Sequence, residues 1–600
     1  MNDSLLYPVQ NNFRNEQLLN GWWKFQFDPE GKGEQEEWMT KGLPNPVDMP
    51  VPASFNELFS KSKERNYVGD FWYQTEFYVP SGWDKQDLLL RFGSLTHRGT
   101  IYLNGIKISS HEGGFLPVVV DITVAVKIEG KNLLVIKMNN EVSSDTLPVG
   151  AIHKLHNGEK VITPGFDFFN YAGIQRNVWL LALPKTRLMD YQTSFEINES
   201  DAEIKYHVSI LGEADTQVEL YDKENRRVAE TDGADGKMQI KDPKLWTPDT
   251  PYLYTIVISS LVAGKKVDEY SADLGIRTFE VNGHQFLLNN QPIYLKGFGK
   301  HEDFYINGKG LNPAVIKRDY ANMKWIHANC FRTSHYPYDE EWYQEADCEG
   351  FLIIDEVPAV GMMHWGNGDF IANGAHPIKS FFDGENTAVL KQRHLEAIHD
   401  MIKRDHNHPS VIAWSLFNEA ETTTDTAEKY FKDIFSYART LDEEKRLVTG
   451  TLVLNSLPKT DRVHDMCDFI CLNRYYGWYI KGGVDFPDAE GALRKEIKEW
   501  LSVEDNKPYV FTEFGADTLS GQHSLTGQLW TEEYQKKYYE MNLGVMSDYP
   551  QIQGELVWTF ADFETSEAIY RPLGNNKGIF NRAREPKEAA FLLKKIWKNK

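Results

Sequence analysis

Hydrophobic residues change their spacing twice along this chain. Up to about residue 183 they form short runs: WWKFQF (22–27), FWYQTEFYV (71–79), DLLLRFG (87–93), GTIYLNGIKI (99–108), NLLVIKMNN (132–140) and RNVWLLALP (176–184). Turns rich in Gly, Asn and Pro separate them, which predicts an all-β sandwich over 1–183. From 184 to 276 the runs alternate apolar and polar positions, as in EIKYHVSIL (203–211) and TQVELYD (216–222). That stretch predicts a small immunoglobulin-like sandwich ending near Gly275-Ile276-Arg277.

Beyond 277 the pattern changes again. After a hairpin, FEVNGHQFLLNN, eight apolar runs follow: PIYLKGFG (292–299), ANCFRTSHYP (328–337), FLIIDEVP (351–358), VIAWSLFNE (411–419), RLVTGTLV (446–453), FICLNRYY (469–476), YVFTEFG (509–515) and ELVWTFADF (555–563). Helix-periodic segments such as NPAVIKRDYANMKWI and AVLKQRHLEAIHDMIKRD lie between them. Eight strand–helix units over 277–600 predict a (β/α)8 barrel. The chain thus reads as a multidomain protein of two β-sandwiches and a barrel.

In such a barrel the chemistry sits at the carboxyl ends of the strands. The residues falling there are His301, His335, Asp355, Asn418, Glu419, Asn473, Tyr475, Tyr476, Glu513, Trp558 and Asp562. Two of them, Glu419 and Glu513, each end a buried apolar run. Paired carboxylates so placed suit glycosidic bond cleavage, one as acid and the other as nucleophile or base. One must hold a proton near neutral pH and the other must not. The residues alone leave open which is which. They also leave open whether the carboxylates stand about 5 Å apart (retaining) or further (inverting).

Charge narrows the partners. A net charge of -22 argues against nucleic acid or an anionic membrane surface. It also demands local cations if the substrate is itself an anion. Aromatic residues make up 13% of the chain, and flat rings suit sugar stacking. Cys330, Cys348, Cys467 and Cys471 match no zinc spacing and read as buried free thiols in a reducing, cytoplasmic compartment. The opening MNDSLLYPVQNN lacks a signal-peptide pattern, and no apolar run reaches the roughly 20 residues of a membrane span. His394, His399, His406 and His408 fit no metal motif and read as capping and packing residues.

The Asn418-Glu419 pair, the TEFG around Glu513 and the three-part layout resemble glycoside hydrolase family 2. So do GTIYLNG (99–105), HEGGFLP (111–117), NYAGIQRNVWL (170–180), GFGKHED (297–303), RTSHYP (332–337) and RDHNHPSVIAWS (404–415). Within the family, NRYYGWY (473–479), DFFNYAGI (167–174), VWTFADF (557–563) and GNNKGIF (574–580) are similar to bacterial members that cleave β-D-glucuronides.

The resemblance implies a jelly-roll first domain and a retaining exo-acting mechanism, with Glu419 as acid/base and Glu513 as nucleophile. Asn418 would bond the sugar 2-hydroxyl. Asn575 and Lys577 would grip the C6 carboxylate of the sugar, assisted by Arg571 and Tyr479. Asp167 and Trp558 would line the pocket, with Asn473 also at the substrate, and His335 and Tyr475 beside the glutamates. Phe514 departs from the Tyr common after the nucleophile. The family implies no cofactor or metal, a small-molecule substrate and a homo-oligomer, often a tetramer. The long stretch 361–386 resembles a loop of gut bacterial members that favours small aglycones over polymers. A β-galacturonidase or β-galactosidase of the same family is the sibling alternative, and a non-catalytic carbohydrate-binding protein the distant one. Asn575 and Lys577 argue against the galactosidase, and the two glutamates against the binding protein.

Overall fold

The computed structural model describes residues 4–198, 200–364 and 380–600. The first sandwich packs a six-stranded antiparallel sheet on a four-stranded one. The larger sheet runs Val47–Val51, Gly21–Asp28, Asp70–Phe77, Asn132–Asn139, Arg98–Leu103 and Ile106–Glu112 in spatial order. Trp23, Phe25, Phe71, Tyr73, Leu90 and Ile136 fill the space between the layers. The second sandwich has three plus four strands, and period-2 alternation explains it: in Asp201–Leu211 the residues Ala202, Ile204, Tyr206 and Val208 all point into the core.

Eight parallel strands close the barrel: β1 (Leu295–Gly299), β2 (Cys330–Arg332), β3 (Leu352–Glu356), β4 (Val411–Asn418), β5 (Leu447–Leu452), β6 (Ile470–Asn473), β7 (Tyr509–Glu513) and β8 (Ile552–Trp558). Every residue of β4 is buried, because helices cover one face and packed side chains the other. The helices are α1 (Pro313–Trp325), α2 (Glu340–Glu349), α3 (Thr387–Asp405), α4 (Asp425–Ala438), α5 (Ala489–Val503), α6 (Glu532–Ser547) and α7 (Glu588–Trp597). Local chemistry sets their starts. Asn312 caps α1 by accepting from the Ala314 and Val315 N–H groups, with Pro313 at the first helical position.

One of the eight strand–helix units is incomplete. Between β5 and β6 the chain forms turns and the short 3-10 segment His464–Met466, with no α-helix. That stretch, NSLPKTDRVHDMCD, lacks an apolar stripe of helical period. Instead Asp461 accepts from the backbone N–H groups of Val463 and His464 at 2.9 and 2.7 Å, which favours a turn.

The first sandwich is held against the barrel by buried charges. Arg91 makes a two-pronged contact with Glu340 at 2.9 and 2.7 Å. Near residue 170, Tyr171 bonds Asp303 at 3.0 Å, Arg582 bonds both, and the Phe169 N–H reaches Glu564 O at 2.9 Å. These contacts bring the preceding turn, which carries Asp167, over the barrel mouth.

Cys330, Cys467 and Cys471 are buried, whereas Cys348 is exposed, correcting its reading as a buried thiol. It lies near the end of α2 on a solvent-facing position. Most of the 361–386 stretch, residues 365–379, lies outside the described residues. No helix among the described residues is long and apolar enough to cross a membrane.

Candidate active site

Glu513 ends β7, is 4% exposed, and has both oxygens engaged. Arg332 Nη2 donates to Oε1 at 2.5 Å and the Tyr475 hydroxyl donates to Oε2 at 2.6 Å. A fork of fixed donors of this kind sets the direction of a carboxylate's free lone pairs. His335 Nε2 stands 3.6 Å from Oε1. Only a hydrogen fits at Gly515 just beyond, because a Cβ there would lie 1.8 Å from the Trp558 carbonyl oxygen. That close approach lets β7 and β8 bring Glu513 and Trp558 into one pocket.

Arg332 is fully buried at the end of β2 and ties the site together. Besides Glu513 it donates to both oxygens of Glu356, at 3.1 and 2.9 Å, and to Asn418 Oδ1 at 3.2 Å. Burial opposes its charge, but Glu356 and Glu513 outweigh that and hold its pKa above the ordinary arginine value. Glu356 is buried too. Desolvation pushes its carboxyl up, yet Arg332 and His335 bring it below the usual range. His335 Nδ1 lies 2.7 Å from Glu356 Oε1, and its ring stacks on Trp558 at 5.2 Å.

Glu419 follows β4 in a left-handed conformation, φ 50°, with its N–H on Thr451 O at 2.9 Å. That turn redirects the chain so that the side chain points into the barrel mouth rather than along the strand. Its surroundings differ from those of Glu513. Asn473 Nδ2 donates to Oε1 at 3.0 Å, with no cation at comparable distance among the described residues. Burial, followed by repulsion from Glu513, pushes the Glu419 pKa up to about 8. Asn473 is oriented by the Thr512 hydroxyl at 2.9 Å and also donates to Asn418 Oδ1 at 3.2 Å.

A second cluster stands beside the first. Lys577 Nζ donates to the Tyr479 hydroxyl at 2.8 Å and to Asp517. Arg571 grips Asp167 through Nε and Nη2 at 2.7–3.1 Å and reaches Tyr479 at 3.1 Å. Asn575 Nδ2 donates to the same Asp167 at 2.7 Å, while its Oδ1 accepts the Lys577 N–H at 3.0 Å. Tyr479 packs on Tyr475 with ring centroids 5.0 Å apart, which joins this cluster to the Glu513 side. At Gly578 a Cβ would come within 2.2 Å of the Asp562 amide nitrogen, so the Asn575–Lys577 turn needs a glycine to close.

The structure therefore brings together Asp167, His335, Asn418, Glu419, Asn473, Tyr475, Tyr479, Glu513, Trp558, Arg571, Asn575 and Lys577. Three strand-end residues turn elsewhere. Asp355 bonds Thr333 and Tyr343 behind β3, Tyr476 bonds Glu496 on α5, and Asp562 pairs with Lys587. His301 packs on Trp558 and Phe563 without touching either catalytic candidate. Phe514 is fully buried, edge-on to Tyr539 at 5.8 Å. The discounted histidines make packing contacts: His394 with Leu416 O, His406 with Ile402 O and Tyr191 O, and His408 with Asp347. His399 meets Asp400 near the surface.

Arg332, Glu356 and Asp517 were not legible as site residues. The signal for the first two was a charged residue closing a short, otherwise largely apolar strand that is buried throughout, since such a charge needs a buried partner. Asp517 carried no comparable signal.

Three family models match the chain in order: "Glycosyl hydrolases family 2, sugar binding domain" over 16–184, "Glycosyl hydrolases family 2" over 183–277, and "Glycosyl hydrolases family 2, TIM barrel domain" over 279–600. The chain is 39% identical over 601 residues to the β-glucuronidase of Streptococcus agalactiae, covering 99% of this chain and 98% of that protein. It is 35% identical over 627 residues to that of Homo sapiens, covering 99% and 92%. Among solved structures, Ruminococcus gnavus β-glucuronidase superposes with a TM-score of 0.98 at 52% identity, both chains covered in full. The same protein in complex with uronic isofagomine gives the same values.

Proposed function

Taking as premise that this chain belongs to glycosyl hydrolase family 2 and is a glycoside hydrolase, we propose that it hydrolyses β-D-glucuronides with retention at the anomeric carbon. The observation carrying this reading is the cluster of Lys577, Arg571, Asn575 and Tyr479 beside the two glutamates. It is a set of donors suited to a sugar carboxylate, in a chain whose overall charge is -22. Relatives bearing the β-glucuronidase name over the full length of the chain support it.

The different surroundings of the two glutamates support their division of labour. Glu419, with its pKa pushed up to about 8, holds a proton at neutral pH and gives it to the glycosidic oxygen. Glu513, directed by Arg332 and Tyr475, attacks the anomeric carbon as the aglycone leaves, forming a glycosyl ester. Esterification removes the Glu513 charge, and with it the repulsion that helped raise Glu419. The Glu419 carboxylate formed in the first step then takes a proton from the attacking water. Glucuronic acid is released and both groups return to their starting state.

The same reading places the enzyme in a reducing cytoplasm, supported by its free cysteines. It also makes the protein a homo-oligomer. The fully exposed Leu525, Ile569 and Leu573 beside the barrel mouth support a contact between copies, which light scattering would measure.

Hydrolysis of p-nitrophenyl β-D-glucuronide against the matching galacturonide, galactoside and glucoside tests the function. A strong glucuronide preference is the expected result. A galacturonide preference keeps the carboxylate grip and moves the correction to recognition at C4. A neutral-sugar preference overturns the uronide reading.

A further inference from the structure

The carboxylate pocket holds two cations, buried side by side. Lys577 is 1% exposed and Arg571 5%. Such charges repel one another and resist desolvation, so their positions depend on their counter-ions. Two carboxylates serve, and they differ in freedom. Asp167 comes from a turn of the first sandwich, and its side chain keeps 33% of its exposure. Asp517 is 1% exposed, and both of its oxygens are committed. Oδ1 accepts the Asn576 N–H at 3.0 Å, while Oδ2 pairs with Lys577 Nζ and lies 3.5 Å from Arg571 Nη1. The Lys577 ammonium also faces the rings of Tyr475, Trp478 and Tyr479. Burial pushes Asp517 up, but Lys577 and Arg571 bring it below the usual carboxylate range, so it stays an anion.

We propose that Asp517 is the positioning residue of the uronate clamp: it fixes Lys577 and Arg571 at the spacing that receives a sugar carboxylate and so sets the preference for uronides over neutral sugars. The inference rests on the uronide reading of this site. Asp517 follows β7 four residues after Glu513. One strand end thus locates both the group that attacks C1 and the counter-ion of the cations that hold C6, so the register of the ring between them is built into one segment. A buried ion pair with only a structural role would affect all substrates alike. A positioning role changes the discrimination between them.

The test is the ratio of kcat/KM for p-nitrophenyl β-D-glucuronide to that for the β-D-glucoside, in wild type, Asp517→Glu and Asp517→Asn, with folding checked by thermal melting. The ratio should fall about 30-fold or more in Asp517→Asn, the scale for stranding a buried charge, with the glucuronide loss mainly in KM. Asp517→Glu keeps the charge but moves it by one methylene, and its ratio should lie between the other two. If Asp517→Asn does not fold, the drop from wild type to Asp517→Glu decides the matter. A ratio unchanged in the folded variants overturns the positioning role and leaves the proposed function standing. A wild type with no uronide preference overturns both.

Discussion

The proposed catalytic end of the pocket and its proposed uronate end are built from different material. At the catalytic end Glu513, Arg332 and Glu356 stand on β7, β2 and β3, and Glu419 follows β4 directly. Their contacts run across neighbouring strands: Asn473 pairs in register with Glu513, and Asn418 with Thr451. At the uronate end Arg571, Asn575 and Lys577 lie in the connection between β8 and α7, Asp167 comes from another domain, and Tyr479 from the segment after β6. The groups proposed for bond formation stand on or directly after barrel strands, which place side chains more precisely than loops do. The groups proposed to recognise a charged substituent lie on loops, which tolerate change better than the frame does.

Breaking the catalytic end should have the largest effect. Glu513→Gln keeps the side-chain shape and is expected to lower kcat by about ten-thousand-fold or more, measured on p-nitrophenyl β-D-glucuronide with folding intact. Substantial remaining turnover would remove Glu513 from the attacking role. Glu419→Ala is expected to cost about a thousand-fold on a substrate with a poor leaving group, and much less on one that leaves without a proton. Added azide should partly restore the faster substrate and yield a glycosyl azide. Absence of that product in a folded variant would contradict the acid/base assignment.

The uronate end should respond more selectively. Lys577→Ala is expected to cost about 2–5 kcal/mol in kcat/KM on the glucuronide beyond its effect on the glucoside. Equal losses on the two substrates would dissolve the distinction between the ends. The mildest test is pH. In its proposed role as acid Glu419 must carry a proton, and its pKa is pushed up to about 8, so kcat/KM should fall as pH rises through that value. Replacing Glu513 by Gln removes a source of repulsion and should lower the Glu419 titration, read by carbon NMR of labelled glutamate. A titration that does not move would separate the two carboxyl groups electrostatically.

The same contrast explains what could be read from the sequence. The barrel strands and their terminal glutamates were visible because burial on both faces writes continuous apolar runs that end abruptly on a polar residue. The incomplete unit between β5 and β6 escaped notice because a strand count predicts a helix after each strand, and only the missing apolar stripe in 455–468 argued otherwise. Asp355, Tyr476 and Asp562 show the limit of strand-end logic. Asp355 precedes Glu356 on β3 and faces the other side, so an uncertainty of one residue moves a side chain from the pocket to the helix layer. Tyr476 and Asp562 lie beyond the ends of β6 and β8, where strand alternation no longer sets direction. The uronate end was legible only through resemblance, since NNKG by itself reads as a surface turn. Asp517 had no sequence signature, because its role arises from two cations that the fold brings to it from more than fifty residues away.

The most direct test of the divided roles is to trap the enzyme with 2-deoxy-2-fluoro-β-D-glucuronyl fluoride and locate the adduct by peptide mass spectrometry. A single label on Glu513, lost in Glu513→Gln, is the expected outcome. A label on Glu419, or no covalent adduct together with product of inverted anomeric configuration, would contradict the account.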